Sequence, residues 1–160
     1  LNQIKKMTHS IRDLLDSQEL AYIENGDYTV IPIPTEKYVN IQGARETRIV
    51  LQDKPELASV RMEAALYEVP SEVIDTMKLA FSYAHMRTRA ITYEIYDREN
   101  GLADVYAGST IPWQPGTQTI TAQALKINLS TFFKYIETSH DYYRSVINTN
   151  KIDTELLNLI

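Results

Sequence analysis

Apolar residues recur along this chain with two different periods, and the switches between them divide it into elements. At Ile4, Met7, Ile11, Leu14 and Leu15 the spacing is three and four, with Lys5, Lys6, Arg12 and Asp13 falling elsewhere, which predicts an amphipathic helix over residues 3–16. Leu20–Glu24 and Asp27–Ile31 then flank Asn25-Gly26, a dipeptide suited to the positive φ angles of a two-residue type I′ turn, so a hairpin follows. Pro32 and Pro34 lack the amide donor that a central strand needs. The second strand should therefore stop near Ile31 or run along a sheet edge. Residues 46–52 read as a short strand, broken by Asp53-Lys54-Pro55-Glu56. Next, Val60, Met62, Ala64 and Leu66 alternate with Arg61, Glu63, Ala65 and Tyr67, the period of two expected of a strand covered on one face only.

Pro70-Ser71-Glu72 opens a second helix, with Val73, Met77, Ala80, Phe81 and Ala84 along one stripe. The β-branched and aromatic run Ile91–Tyr96, the turn at residues 97–101 and the segment Leu102–Tyr106 predict a second hairpin. Residues 108–116, with Pro112, Trp113 and Pro115, read as a loop. Thr121 is a suitable N-cap for a last helix over 122–147, on which Leu125, Leu129, Phe132, Phe133, Ile136, Tyr143 and Ile147 form one stripe. At 1.5 Å per residue that helix is on the order of 39 Å long and can cross a sheet. The apolar end of the tail, Leu156, Leu157, Leu159 and Ile160, is expected to dock. The element order is thus α-β-β-β-β-α-β-β-α. It predicts an α+β fold, with an antiparallel sheet of about five to six strands packed on one side by helices. One domain over 1–160 is expected, with its core at 8–148 and a tail at 149–160.

Composition narrows the function classes. The 160 residues are 44% apolar and carry a formal charge of -5, which disfavours binding to phosphate backbones; nucleic acid is not an expected partner. No apolar run approaches the roughly 18 residues of a membrane span, and residues 1–17 hold Lys5, Lys6, Arg12 and Asp13 where a signal peptide would be apolar. With no cysteine, thiolate metal sites and disulfide scaffolds are excluded, and a cytoplasmic location is the expectation. The chain opens on Leu1, which leaves a fragment boundary and a start at Met7 both open.

Signals for chemistry are missing. His9, His85 and His140 fall on different predicted elements without the paired spacing of a zinc site, so structural or surface roles are expected. Phosphate-binding glycine loops and a Gly-x-Ser-x-Gly elbow do not occur, and only 5 glycines are present. The carboxylates Asp97/Glu99 and Glu24/Asp27 flank hairpin turns, where they suit local backbone amides better than acid–base catalysis. No catalytic residue, metal or cofactor is expected. Among the 11 tyrosines, Tyr67, Tyr96 and Tyr106 fall opposite the apolar alternation of their strands. Two readings fit them: cross-strand packing, or contact with a partner.

The element order resembles that of the class I type III secretion chaperones and the YbjN-like proteins. The resemblance spans roughly residues 8–148. It is carried by Glu24-Asn25-Gly26-Asp27-Tyr28, by Leu66-Tyr67-Glu68-Val69-Pro70 leading into the middle helix, by Ala90–Tyr96 followed by Arg98-Glu99-Asn100-Gly101, and by Phe132-Phe133-Lys134-Tyr135-Ile136 in the final helix. It implies a small acidic protein, often a homodimer, that grips a partner protein or extended peptide over its sheet and has no catalysis of its own. With one sheet face left uncovered, Arg61, Glu63, Tyr67, Tyr96 and Tyr106 are the expected contacts. The alternative is a structural assembly protein of phage or virus type, oligomerising through its terminal helices.

Overall fold

A computed structural model of the chain describes residues 11–88 and 90–160. The strands are β1 (Ile23–Asn25), β2 (Tyr28–Pro34), β3 (Glu46–Lys54), β4 (Ser59–Pro70), β5 (Thr92–Asp97) and β6 (Leu102–Pro112). They form one antiparallel sheet in the order β1-β2-β3-β4-β6-β5. Residues 11–17 are helical (α1), followed by α2 (Ile74–His85), α3 (Ala122–Thr149) and the short α4 (Thr154–Leu157). Residues 3–10 of the predicted first helix lie outside the described residues.

Strand alternation decides which face the helices cover. Thr29 and Ile31 on β2, Ile49 and Leu51 on β3, Val60, Met62 and Ala64 on β4, and Ala103, Val105, Ala107 and Ile111 on β6 are buried. They pack with Ile11 and Leu15 of α1, Met77, Ala80, Phe81 and Ala84 of α2, and Leu125, Phe132, Ile136, Tyr143 and Val146 of α3. Each large side chain fully buried in this way contributes roughly 1.5–3 kcal/mol against leaving it in water. α3, 28 residues and so about 42 Å long, is started by Thr121, whose hydroxyl accepts from the Ala124 N–H at 3.0 Å. It ends on Asn150 in the left-handed region, a conformation that asparagine tolerates at a helix C-terminus.

Three local details depart from the sequence expectations. Asn25 pairs with Tyr28, so the first hairpin turns on Gly26-Asp27, and of these only Gly26 has positive φ; the glycine stands first, as in a type II′ turn, and not second as in type I′. The Arg12 guanidinium holds that turn by donating to the carbonyls of Gly26 and Tyr28. Second, β6 runs on through residues 108–112 where a loop was expected, because Ala107, Ser109 and Ile111 continue the buried alternation. Third, β4 extends to Pro70, and a short 3₁₀ turn (Ser71–Val73) precedes α2. Pro32 and Pro34 do sit on an edge: β1 pairs only with Tyr28–Val30, so, among the described residues, 31–34 of β2 have one strand neighbour, β3.

The tail folds back on its own chain. Asp153 caps α4, and Ile152, Leu156, Leu157 and Ile160 pack against the core. Arg87 at the end of α2 donates to the Leu157 carbonyl at 2.7 Å and to Asn158 Oδ1 at 2.8 Å.

Candidate protein-binding face

The sheet face away from the helices is built in rows. Val50, Glu63, Gly108 and Thr92 stand opposite one another across β3, β4, β6 and β5; one step along, Ala65, Tyr106 and Glu94 do the same. Because side chains alternate along each strand, both rows point to the same open side. Two hollows lie there. One of about 240 Å³ is bounded by Tyr28, Val50, Gln52, Arg61, Glu63, Ala65 and Tyr106. Another of about 540 Å³ is bounded by Glu63, Glu94, Ile95, Tyr96 and Tyr106. They meet at Glu63 and Tyr106 and so make one trough, whose rings Tyr28 and Tyr96 are 45% and 66% exposed.

Gly108 stands between Glu63 and Thr92 in the first row, beneath the Arg61 side chain. A Cβ there would come within 2.1 Å of Arg61 Nη2, so the missing side chain is what allows the guanidinium to lie across β6. Arg61 Nη2 stands 3.5 Å from Thr92 Oγ1, and its Nε is 4.0 Å from Glu63 Oε2. Both side chains are partly exposed, so that ion pair stabilises the fold by no more than about 1 kcal/mol. At the far end Arg98 closes the charge balance, meeting Glu68 at 2.6 Å and Asp104 at 3.3 Å.

Of the five expected contact residues, Arg61, Glu63, Tyr96 and Tyr106 stand together on the open face, and Tyr67 does not. Tyr67 is 2% exposed and points into the core. The cause is a β-bulge: Ala65 faces Tyr106 and Tyr67 faces Val105, leaving Leu66 as an extra residue without a partner on β6. Simple alternation predicts Leu66 inward and Tyr67 outward; the added residue reverses the parity, so that Tyr67 and Val69 continue the buried side. The bulge is locked from below, because Tyr38 donates its hydroxyl to the Leu66 carbonyl at 2.7 Å.

Tyr67 belongs to an aromatic and polar cluster under the sheet. Its hydroxyl is 3.1 Å from His140 Nδ1, its ring stacks on that imidazole at 19°, and Arg144 lies 5.7 Å above the ring. Burial pushes the Tyr67 phenol well up. Burial, and then the charge of Arg144, hold the His140 imidazole below its ordinary value. Nearby, the hydroxyls of Tyr93, Tyr135 and Tyr143 close a ring of mutual hydrogen bonds, and Tyr93 stacks on Phe81 with ring centroids 3.8 Å apart. Each hydroxyl has a partner inside the core, which accounts for burying so many phenols without leaving polar atoms stranded.

Sequence reasoning missed Tyr28, Val50, Gln52 and Glu94 on the open face. On β2 neither face carries charge, with Tyr28 and Val30 on one and Thr29 and Ile31 on the other, so alternation carried no sign of which was outside. For Glu94 the signal existed, since Tyr93 and Ile95 flank it on the covered side. His140 is in the core and His85 is exposed at the end of α2. His9 lies outside the described residues. Among the described residues no three His, Asp or Glu side chains gather to hold a metal ion, and no helix is long and apolar enough to cross a membrane.

A six-stranded antiparallel sheet with helices packed on it in this order is a YbjN-like α+β fold. One solved structure with this fold is the crystal structure of YbjN, a candidate transcription regulator from E. coli. That structure matches 84% of this chain and 92% of its own with a TM-score of 0.59 at 13% identity. No family model matches the chain, and no curated protein does.

Proposed function

We propose that this chain is a non-enzymatic, chaperone-like protein-binding module that holds an extended segment of a partner protein over the open face of its sheet. The observation that carries this reading is the trough walled by Tyr28, Tyr96 and Tyr106 on the side that none of the described helices covers. Exposed tyrosines suit contact because they bury a large area while giving up few rotatable bonds. Among the described residues the outer edge of β5 has no strand neighbour, which leaves backbone groups there open to an added strand. Arg61, Glu63, Tyr96 and Tyr106 are the proposed contacts; Tyr67 leaves the set. A cytoplasmic homodimer is the proposed working unit. The assembly alternative needs a free terminal tail, and Arg87 ties that tail to its own α2.

Capture from native lysate tests the reading. The wild-type chain should retain a partner that the Tyr96→Ala and Tyr106→Ala variants lose, with the variants' folding unchanged. Retention by both at the wild-type level would remove the open face from the account.

A further inference from the structure

Charge along the trough is not balanced. Arg98 is taken by Glu68 and Asp104, Arg48 by Glu46, and Arg61 reaches Glu63 at the long distance of 4.0 Å. Glu94 makes no ion pair among the described residues, although it stands directly opposite Tyr106 and two residues from Tyr96. Glu63 lies on the other side of β6, opposite Gly108. Two carboxylates therefore flank the strand on which Tyr106 stands, beside a glycine whose bare backbone already lets one guanidinium lie flat. The chain's own Arg61 shows what the strand beside Tyr106 accepts: a planar cation resting on backbone, with a carboxylate and a threonine hydroxyl next to it.

Resting on the open-face reading above, we propose that the partner segment is cationic, and that it places a lysine or arginine side chain between Glu63 and Glu94 against the ring of Tyr106. The ring face and the two carboxylates attract the same cation by independent means, the one through its quadrupole and the other through charge. An acidic segment meets Glu63 and Glu94 with like charge, and an apolar one leaves Glu94 facing it with no ion-pair partner among the described residues. The overall charge of -5 adds a weaker, salt-screened attraction for the same class of partner.

The probe is a set of eight-residue blocked peptides in which threonine alternates with lysine, with glutamate or with norleucine, titrated into the uniformly ¹⁵N-labelled full chain. The lysine peptide should shift the amides of residues 63, 94, 96 and 106. Its affinity should fall about three- to tenfold in Glu94→Gln and in Glu63→Gln, and fall again as salt is raised. Those variants change an exposed carboxylate at Glu94 and a partly exposed one at Glu63, and their unperturbed amide spectra away from the trough report that the fold is kept. If the norleucine or glutamate peptide shifts the same amides as strongly, the cationic assignment is overturned while the open-face reading stands. If the lysine peptide shifts only residues on the helix side, or binds equally well to both variants, the assignment is overturned as well.

Discussion

Tyr67→Ala should destabilise the protein by about 3–5 kcal/mol, whereas Tyr96→Ala should change its stability by no more than about 0.5 kcal/mol. Both residues are tyrosines on strands of one sheet, and by alternation both would face outward. Tyr67 instead fills a closed space between Tyr38, His140 and Tyr143, with ring centroids 5.3 to 6.2 Å apart within that group. Removing the ring opens a cavity and strips His140 of its hydroxyl partner, so transfer and cavity costs add. Tyr96 is 66% exposed and loses little beyond its own cross-strand contacts. Urea denaturation of the two variants measures the difference. Equal, small losses would mean that the bulge at Leu66 is absent and that Tyr67 faces solvent after all.

Acid should lower the protein's stability in two separable pH windows, both traceable to one end of the cluster. The Glu137 carboxylate accepts from the backbone N–H groups of Glu36, Lys37 and Tyr38, at 2.8 Å for Glu36 and Tyr38. Burial pushes its pKa up, but the three N–H donors outweigh that and hold it below its ordinary 4.5. A carboxyl depressed on folding stabilises fully above its unfolded value, and that contribution is lost as pH falls through the folded one. His140 acts in a higher window. Its imidazole is held below 6.5, so the unfolded chain takes up the proton first; its contribution is complete above about pH 6.5 and declines as pH drops from there toward the folded value. Thermal melts from pH 8 to pH 3 should show both declines. Replacing His140 by Gln should flatten the upper one. Glu137→Ala should flatten the lower one and cost about 1.5–3 kcal/mol at neutral pH, because three donors lose a charged acceptor. A melting temperature that does not change between pH 7.5 and 5.5 in the wild type would remove His140 from this account.

The architecture was legible where residue type and period agree. The stripe on α3, the cap at Thr121, the prolines of β2 and the alternation at Val60–Ala64 each have one physical solution, and the elements follow. What stayed hidden depends on one chain meeting itself. The bulge that turns Tyr67 inward is invisible in β4 alone, since it arises from pairing with β6 and from the Tyr38 hydroxyl that takes up the carbonyl of Leu66. The continuation of β6 past Gly108 was hidden because glycine and proline there read as a loop, while the glycine makes room for Arg61 and Pro112 falls at the end of the ladder, opposite Ser59. On α3 the buried set is wider than the apolar stripe: Tyr135, Ser139, His140 and Tyr142 are buried because α3 packs against α2 and the 35–40 segment as well as against the sheet. Polar atoms on those residues find partners only in that arrangement; the Tyr142 hydroxyl donates to the Ala80 carbonyl at 3.0 Å. The four contacts that do share the open face, Arg61, Glu63, Tyr96 and Tyr106, come from stretches where no bulge intervenes.

Site-specific photocrosslinking in cells tests most directly whether the uncovered side of the sheet is where a partner sits. A photoreactive phenylalanine analogue placed at residue 106, in the trough, should form a covalent adduct with another protein. The same analogue at residue 79, on the exposed side of α2, should not. An adduct from residue 79 with none from residue 106 would contradict the account.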